Sequence, residues 1–233
     1  MTEAAATIDP AAVRDRLALA LDTDDLVAAT RTARALRPYF GVAKVGLELY
    51  SAAGPEAIGS LTDLGYAVFA DLKLHDIPTT VGRAARVLGA LGVSYLNFHA
   101  AGGVAMLRAG VDGLADGAAG AELDQPTPLA VTVLTSDTDT HLLTVRVRDA
   151  VEAGCTGIVC AAADIAAARQ LAPRLFTVVP GIRPAGTAHH DQSRTATPRQ
   201  ALDAGADLLV VGRAVTAADD PAAAAEALVA ELA

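Results

Sequence analysis

The chain has 233 residues, 18 basic against 27 acidic side chains and a net charge of −9, with 52% hydrophobic residues but only 3% aromatic ones. That length accommodates one large α/β domain or two small ones, with a core of Ala, Val, Leu and Ile rather than rings. An acidic chain without Trp offers neither a basic field nor a stacking platform for nucleic acid. Its first residues, MTEAAATIDPAAVRDR, lack a basic start followed by an apolar run. No run of roughly 18 apolar residues free of charged and polar side chains is present, so no membrane association and a cytoplasmic location are expected.

In chain order, short β-branched or aliphatic runs predict strands at RLALALD (16–22), GVAKVGL (41–47), YAVFADLK (66–73), SYLNFHA (94–100), PLAVTVLT (128–135), TGIVCA (156–161), LFTVVPG (175–181) and DLLVVGR (207–213). An Ala-rich stretch at helical period follows each run, the signature of βα units around a parallel sheet. Asp24 is placed to cap the first of these helices and Pro78 to open the third. The glycines of ALGVS, EAGCT and DAGAD mark helix ends. Cys155 and Cys160 flank an apolar stretch, which suits core residues in a reducing compartment.

Eight such repeats with no linker between them predict a single-domain TIM (β/α)8 barrel over residues 16–233, preceded by an N-terminal extension, residues 1–15. A doubly wound open sheet would serve the same alternation, but no GxGxxG follows the first strand.

In a barrel, chemistry collects at the C-terminal ends of the strands. Asp22, Lys44, Asp71, Lys73, Asn97, His99, Thr135, Ser136 and Arg213 all stand late in, or at the ends of, expected strands. Alternation puts Phe69, Asp71 and Lys73 on one face of the third strand and Val68, Ala70, Leu72 and Leu74 on the other. The apolar set must face the helices, so the charged set faces the mouth. Asp22, Lys44, Asp71, Lys73 and Asp76 then alternate in sign, which lets several ions share one cleft without an unpaired buried charge. His75, on the outward register, is expected to be a hydrogen-bonded structural residue. VVPGIRPAGTAHHDQSR and VVGRAVT occupy the loops after the seventh and eighth strands, the usual phosphate site of such barrels. There Gly181 and Gly212 let backbone N–H groups approach an anion and Arg213 can grip it bidentately. The polar stretch from Arg183 to Thr197 is too long for a plain connection and reads as a closing lid.

LALD (19–22), KVG (44–46), DLKLHDIPTT (71–80), PGIR (180–183), DQSR (191–194) and VVGRAVT (210–216) closely resemble the orotidine 5′-phosphate decarboxylase family, in order and over almost the whole chain. The resemblance implies a homodimeric barrel that converts orotidine 5′-monophosphate to uridine 5′-monophosphate and carbon dioxide in pyrimidine biosynthesis, with neither metal nor organic cofactor. Carried over residue by residue, Lys73 is the proton donor to C6 of the pyrimidine and Asp71 lies beside the departing carboxylate. Lys44 bridges Asp22, Asp71 and the ribose, and Asp22 holds a ribose hydroxyl. Asp76 and Thr80 reach into the neighbouring subunit's active site. Thr135 touches the pyrimidine ring, Pro180 forms an apolar wall against the base, and Gln192 and Arg213 contact the phosphate beside the backbone of Gly212. Arg183, closing PGIR, joins them as a substrate-binding candidate. Thr79 departs from the Asn that more often follows the proline in this family. Two rivals remain: a magnesium-dependent sugar-phosphate decarboxylase, whose relatives place a Glu where this chain has Lys44, and a non-catalytic nucleotide-binding barrel.

Overall fold

The computed structural model describes residues 9–134, 136, 140–183 and 194–233. Eight parallel strands close on themselves in sequence order: β1 (Leu17–Leu21), β2 (Val42–Gly46), β3 (Ala67–Leu74), β4 (Tyr95–His99), β5 (Thr127–Val131), β6 (Gly157–Val159), β7 (Phe176–Val179) and β8 (Leu208–Val211), with β8 pairing back onto β1 through Leu17↔Leu209, Ala18↔Val210 and Leu19↔Val211. The expected TIM barrel is therefore present. Because helices cover the outside and side chains fill the inside, nearly every strand residue is buried, which is why the strands read as continuous apolar runs.

Alternate residues serve two cores. Leu17, Leu19, Val45, Val68, Ala70, Leu96, Ile158 and Leu209 point outward against the helices. Ala18, Ala20, Val42, Phe69, Leu129, Val131, Val178, Leu208 and Val210 fill the interior. The few rings contradict a core without aromatics: Tyr95 meets Phe69 edge-on at 6.2 Å and stacks on Phe176 at 5.8 Å inside the barrel, and Phe40 and Phe98 are fully buried elsewhere. Bulk from rings fills the wide interior where Ala18 and Ala20 of β1 leave room.

Local signals account for the helix edges. Pro78 opens the helix Pro78–Ala90, and Gly92, Gly154 and Gly205, all at positive φ, follow helices as expected. The first crossover helix, Leu26–Leu36, is capped by Asp25 and not by Asp24: extended backbone at Asp25 lets its carboxylate accept from the N–H groups of Val27 (2.8 Å) and Ala28 (3.1 Å). Pro10–Asp15 forms a short helix whose Val13 is buried in the outer core. β5 ends at Val131, so Ser136 stands in the loop beyond it, and Thr135 lies outside the described residues. Likewise Arg213 starts the helix Arg213–Thr216 rather than ending β8, and Asp22 directly follows β1. Cys155 and Cys160 are buried free thiols, each pushed up to about 12 by burial, as core residues and not reactive thiolates would be.

Candidate active site

A cleft of about 280 Å³ opens at the C-terminal end of the barrel. Its lining includes Asp22, Lys44, Asp71 and Lys73 on one side and Pro180, Gly181, Arg183, Gly212 and Arg213 on the other, with Phe69 and Val131 below. The two constellations meet because β8 closes onto β1. Gly212 lies against Ala20, and a Cβ added there would come 3.9 Å from Oδ2 of Asp22.

The charges form a continuous row. Lys44 pairs with Ala20 of β1 and Phe69 of β3 in the ladders, and its side chain leans toward the mouth. There its Nζ lies 2.9 Å from Asp22 Oδ1 and 3.4 Å from Asp71 Oδ2. Asp71 in turn holds Lys73 Nζ at 2.6 Å from Oδ1. Gly46, opposite Asp71, makes room for this arrangement, since a Cβ there would stand 3.1 Å from Lys44 Nζ and 3.2 Å from Asp22 Oδ1. The sequence signal for that role is a glycine where a strand would otherwise favour a branched side chain.

Solvent access grades along the row. The side chains of Lys44 and Asp71 are only 8% and 15% exposed, against 35% for Lys73 and 57% for Asp22. Burial alone would lower the Lys44 pKa, but Asp71 and then Asp22 outweigh it and hold it above the ordinary value of 10.5. Burial alone would raise that of Asp71, but Lys44, Lys73 and the Asn97 amide outweigh it and hold the carboxyl below 3.8. The sign of each linkage follows. Asp71 contributes stability that is complete above its unfolded value and lost as pH falls through the folded one. Lys44 contributes stability that is complete below its unfolded value and lost as pH rises through the folded one. The gap in urea midpoint between the protein and a Lys44→Met variant is thus expected to stay constant between about pH 5 and pH 9 and to narrow at both extremes, as a pH series of denaturation curves would measure.

Alternation along β3 places Phe69, Asp71 and Lys73 inward as expected, but the strand does not stay regular. Lys73 has φ of 48°, left-handed for a residue with a side chain, and the β3–β4 register shifts between Ala70 and Leu74. The sequence places Asn97 at the end of the fourth strand and gives no sign of its role. The structure places it, fully buried, between Asp71 and the Lys73 backbone. His75 is exposed and stacks on His99 at 5.4 Å, with no hydrogen bond among the described residues, so stacking and not hydrogen bonding holds it.

Asp76 and Thr80 stand apart from the cleft on the exposed segment entering the helix Pro78–Ala90, where Asp76 Oδ1 accepts from the Ile77 N–H at 2.6 Å. Opposite them along the rim, Gly181 has φ of 75°, Arg183 is buried and Arg213 is exposed. The helix beginning at Arg213 is a single turn of four residues, so an anion there would gain from the guanidinium and backbone N–H groups far more than from a helix dipole. The expected lid is described only at its ends, where Ile182 bridges Ala196 and the Arg183 N–H donates to Ala196 O at 2.9 Å. Gln192 lies outside the described residues. Two residues further on, Arg194 is anchored by Asp164 at 2.7 Å. Among the described residues no group of three or more His, Cys, Asp or Glu could hold a metal ion, and no helix is long and apolar enough to cross a membrane.

Residues 15–228 match the profile of the Orotidine 5'-phosphate decarboxylase / HUMPS family. The chain belongs to that family. It is 45% identical to the orotidine 5'-phosphate decarboxylase of Moorella thermoacetica, over 94% of this chain and 92% of that one. It is 47% identical to that of Anaeromyxobacter dehalogenans, over 94% and 98%. Among solved structures, orotidine 5'-phosphate decarboxylase from Lactobacillus acidophilus superposes with a TM-score of 0.80 at 34% identity, covering 94% of this chain and 99% of that one. The Pyrococcus horikoshii enzyme gives 0.76 at 25%, covering 93% and 98%.

Proposed function

We propose that residues 16–233 form a catalytic barrel that decarboxylates orotidine 5′-monophosphate to uridine 5′-monophosphate and carbon dioxide in pyrimidine biosynthesis, with residues 1–15 as an N-terminal extension. The single observation that carries the reading is the row Asp22–Lys44–Asp71–Lys73, closed by contacts of 2.9, 3.4 and 2.6 Å, across the cleft from Arg213. Breaking the bond between C6 and the carboxylate leaves an electron pair in the ring plane that the pyrimidine cannot delocalise, so fixed charge must stabilise it. The Lys73 ammonium does so and then gives its proton to C6, while Asp71 and Lys44 keep it aimed. Asp22 and Lys44 hold the ribose, Thr135 the ring, Pro180 the base, and Arg183, Gln192, Arg213 and the backbone of Gly212 the phosphate. Binding energy from that remote phosphate is available to orient the base.

A second copy of the chain completes each site in this proposal, with Asp76 and Thr80 reaching into the neighbour's cleft. Their exposure supports it, as does Ile77 between them, an apolar side chain left 66% exposed beside the mouth. A cytoplasmic location accords with two buried free thiols. The magnesium-dependent alternative is disfavoured by the chemistry of the donor set. Lys44 already stands between Asp22 and Asp71, and its charge would repel a divalent cation from both carboxylates.

The deciding experiment follows the ultraviolet absorbance of orotidine 5′-monophosphate with purified protein, with and without chelator. Conversion unaffected by chelator is expected. Conversion abolished by chelator, or none at all, would overturn the reading. Arg213→Ala is expected to raise KM by about 10- to 100-fold with a smaller change in kcat, because a charge-assisted phosphate contact made equally in ground and transition states is lost. An unchanged KM would remove Arg213 from the phosphate site.

A further inference from the structure

Three residues of β3, Asp71, Leu72 and Lys73, lie between the paired positions Ala70↔Leu96 and Leu74↔Phe98, whereas β4 has only Asn97 there. A strand with surplus residues bulges, and the bulge leaves backbone groups outside the ladder. Here the Lys73 N–H is the group displaced, and the side-chain oxygen Oδ1 of Asn97 accepts it at 2.7 Å. The same amide donates through Nδ2 to Asp71 Oδ1 at 2.6 Å, the oxygen that also receives Lys73 Nζ at 2.6 Å. Asn97 is 0% exposed and its neighbours Leu96 and Phe98 belong to the outer apolar core, so solvent does not reach the Asn97 amide.

We infer that Asn97 is a positioning residue for the decarboxylation. One planar amide pins the left-handed backbone of Lys73 and the carboxylate that aims its ammonium, fixing donor and anchor as a unit. This inference rests on the function proposed above for Lys73. The residue type is demanding. Asp at 97 would set a second carboxylate against Asp71, and Gln would carry the amide a methylene too far. Leu or Val would strand both the Lys73 N–H and one bond of Asp71. Without the amide, Lys73 can relax from φ of 48° toward ordinary strand geometry, which swings its side chain away from the position opposite Asp71.

The test uses the full chain and the variants Asn97→Ala and Asn97→Asp, the second nearly isosteric so that no cavity is made. Both are expected to lower kcat about 10²-fold while the Kd for uridine 5′-monophosphate stays within about threefold, because the ligand-binding residues are untouched and only the reacting geometry is loosened. Equal losses of kcat and nucleotide affinity would indicate general damage to the fold, and kcat within about threefold of the parent in both variants would show no positioning at all. Either result overturns the inference. If the parent itself converts no orotidine 5′-monophosphate, the proposed function fails separately. Crystal structures of parent and Asn97→Asp then decide the matter: loss of positive φ at Lys73, or of its contact with Asp71, supports the inference, and unchanged geometry overturns it.

Discussion

Lys73→Ala is expected to lower kcat for decarboxylation by about 10⁵-fold, because in the proposed mechanism it removes in one step the charge that stabilises the carbanion and the proton that quenches it. Each contribution alone is commonly about 10² to 10⁴ in rate, and here both come from one ammonium. Among the described residues no other ammonium can substitute: Lys44 is buried and committed to Asp22 and Asp71, and its alternating position on β2 directs it toward the row and not past it. Uridine 5′-monophosphate should still bind, since the proposed phosphate contacts around Gly212 and Arg213 are left unchanged. Stopped assays for turnover together with calorimetric titration of the nucleotide separate the two effects. Turnover within about tenfold of the parent would contradict the assignment of the proton donor. The fold should tolerate the substitution, since Lys73 is the more exposed of the two lysines and its loss leaves Asp71 still paired with Lys44 and bonded to Asn97.

Much of this was legible in the residues because barrel strands impose a strict code. Two-residue alternation sends Phe69, Asp71 and Lys73 inward, and strand ends define the mouth, so a charged residue late in an apolar run has one sensible direction. The code is local, and what failed was set by neighbours or by backbone. The bulge that twists Lys73 into φ of 48° depends on how β3 meets β4, twenty-odd residues away, and no pattern within DLKLHD announces it. Asn97 looked like one more polar strand end, since its partners lie on another strand. The choice between Asp24 and Asp25 as cap turns on which backbone is extended, and both residues offer the same carboxylate. Which rings share the interior depends on barrel closure: Phe69, Tyr95 and Phe176 come from β3, β4 and β7. The proposed reach of Asp76 and Thr80 into a neighbouring subunit rests on resemblance, because contacts within one chain do not report on such a role.

Asp71→Asn is expected to cost both rate and stability, because Asp71 joins the two lysines of the row to each other and to Asn97. Its Oδ1 receives Lys73 Nζ and the Asn97 amide, and its Oδ2 faces Lys44. An asparagine of the same shape supplies one acceptor oxygen and turns an N–H₂ group toward either an ammonium or another amide, setting donor against donor. Charge balance fails as well: Lys44 would keep only Asp22, which is more than half exposed and screened by water, and Lys73 would lose the carboxylate it pairs with. Lys44, 8% exposed, is left short of the partner that holds its pKa up, and breaking such a buried pair costs about 3 kcal/mol, readable as a lower urea midpoint at unchanged slope. The rate should fall about 10³-fold, since the proton donor survives but is no longer aimed. Stability and rate need not fall together for a residue that merely fills space. A variant that kept its urea midpoint while losing activity would move Asp71 from anchoring the lysines to acting on the substrate carboxylate directly. A variant that lost stability but kept its rate would show that Lys73 holds its aim without Asp71.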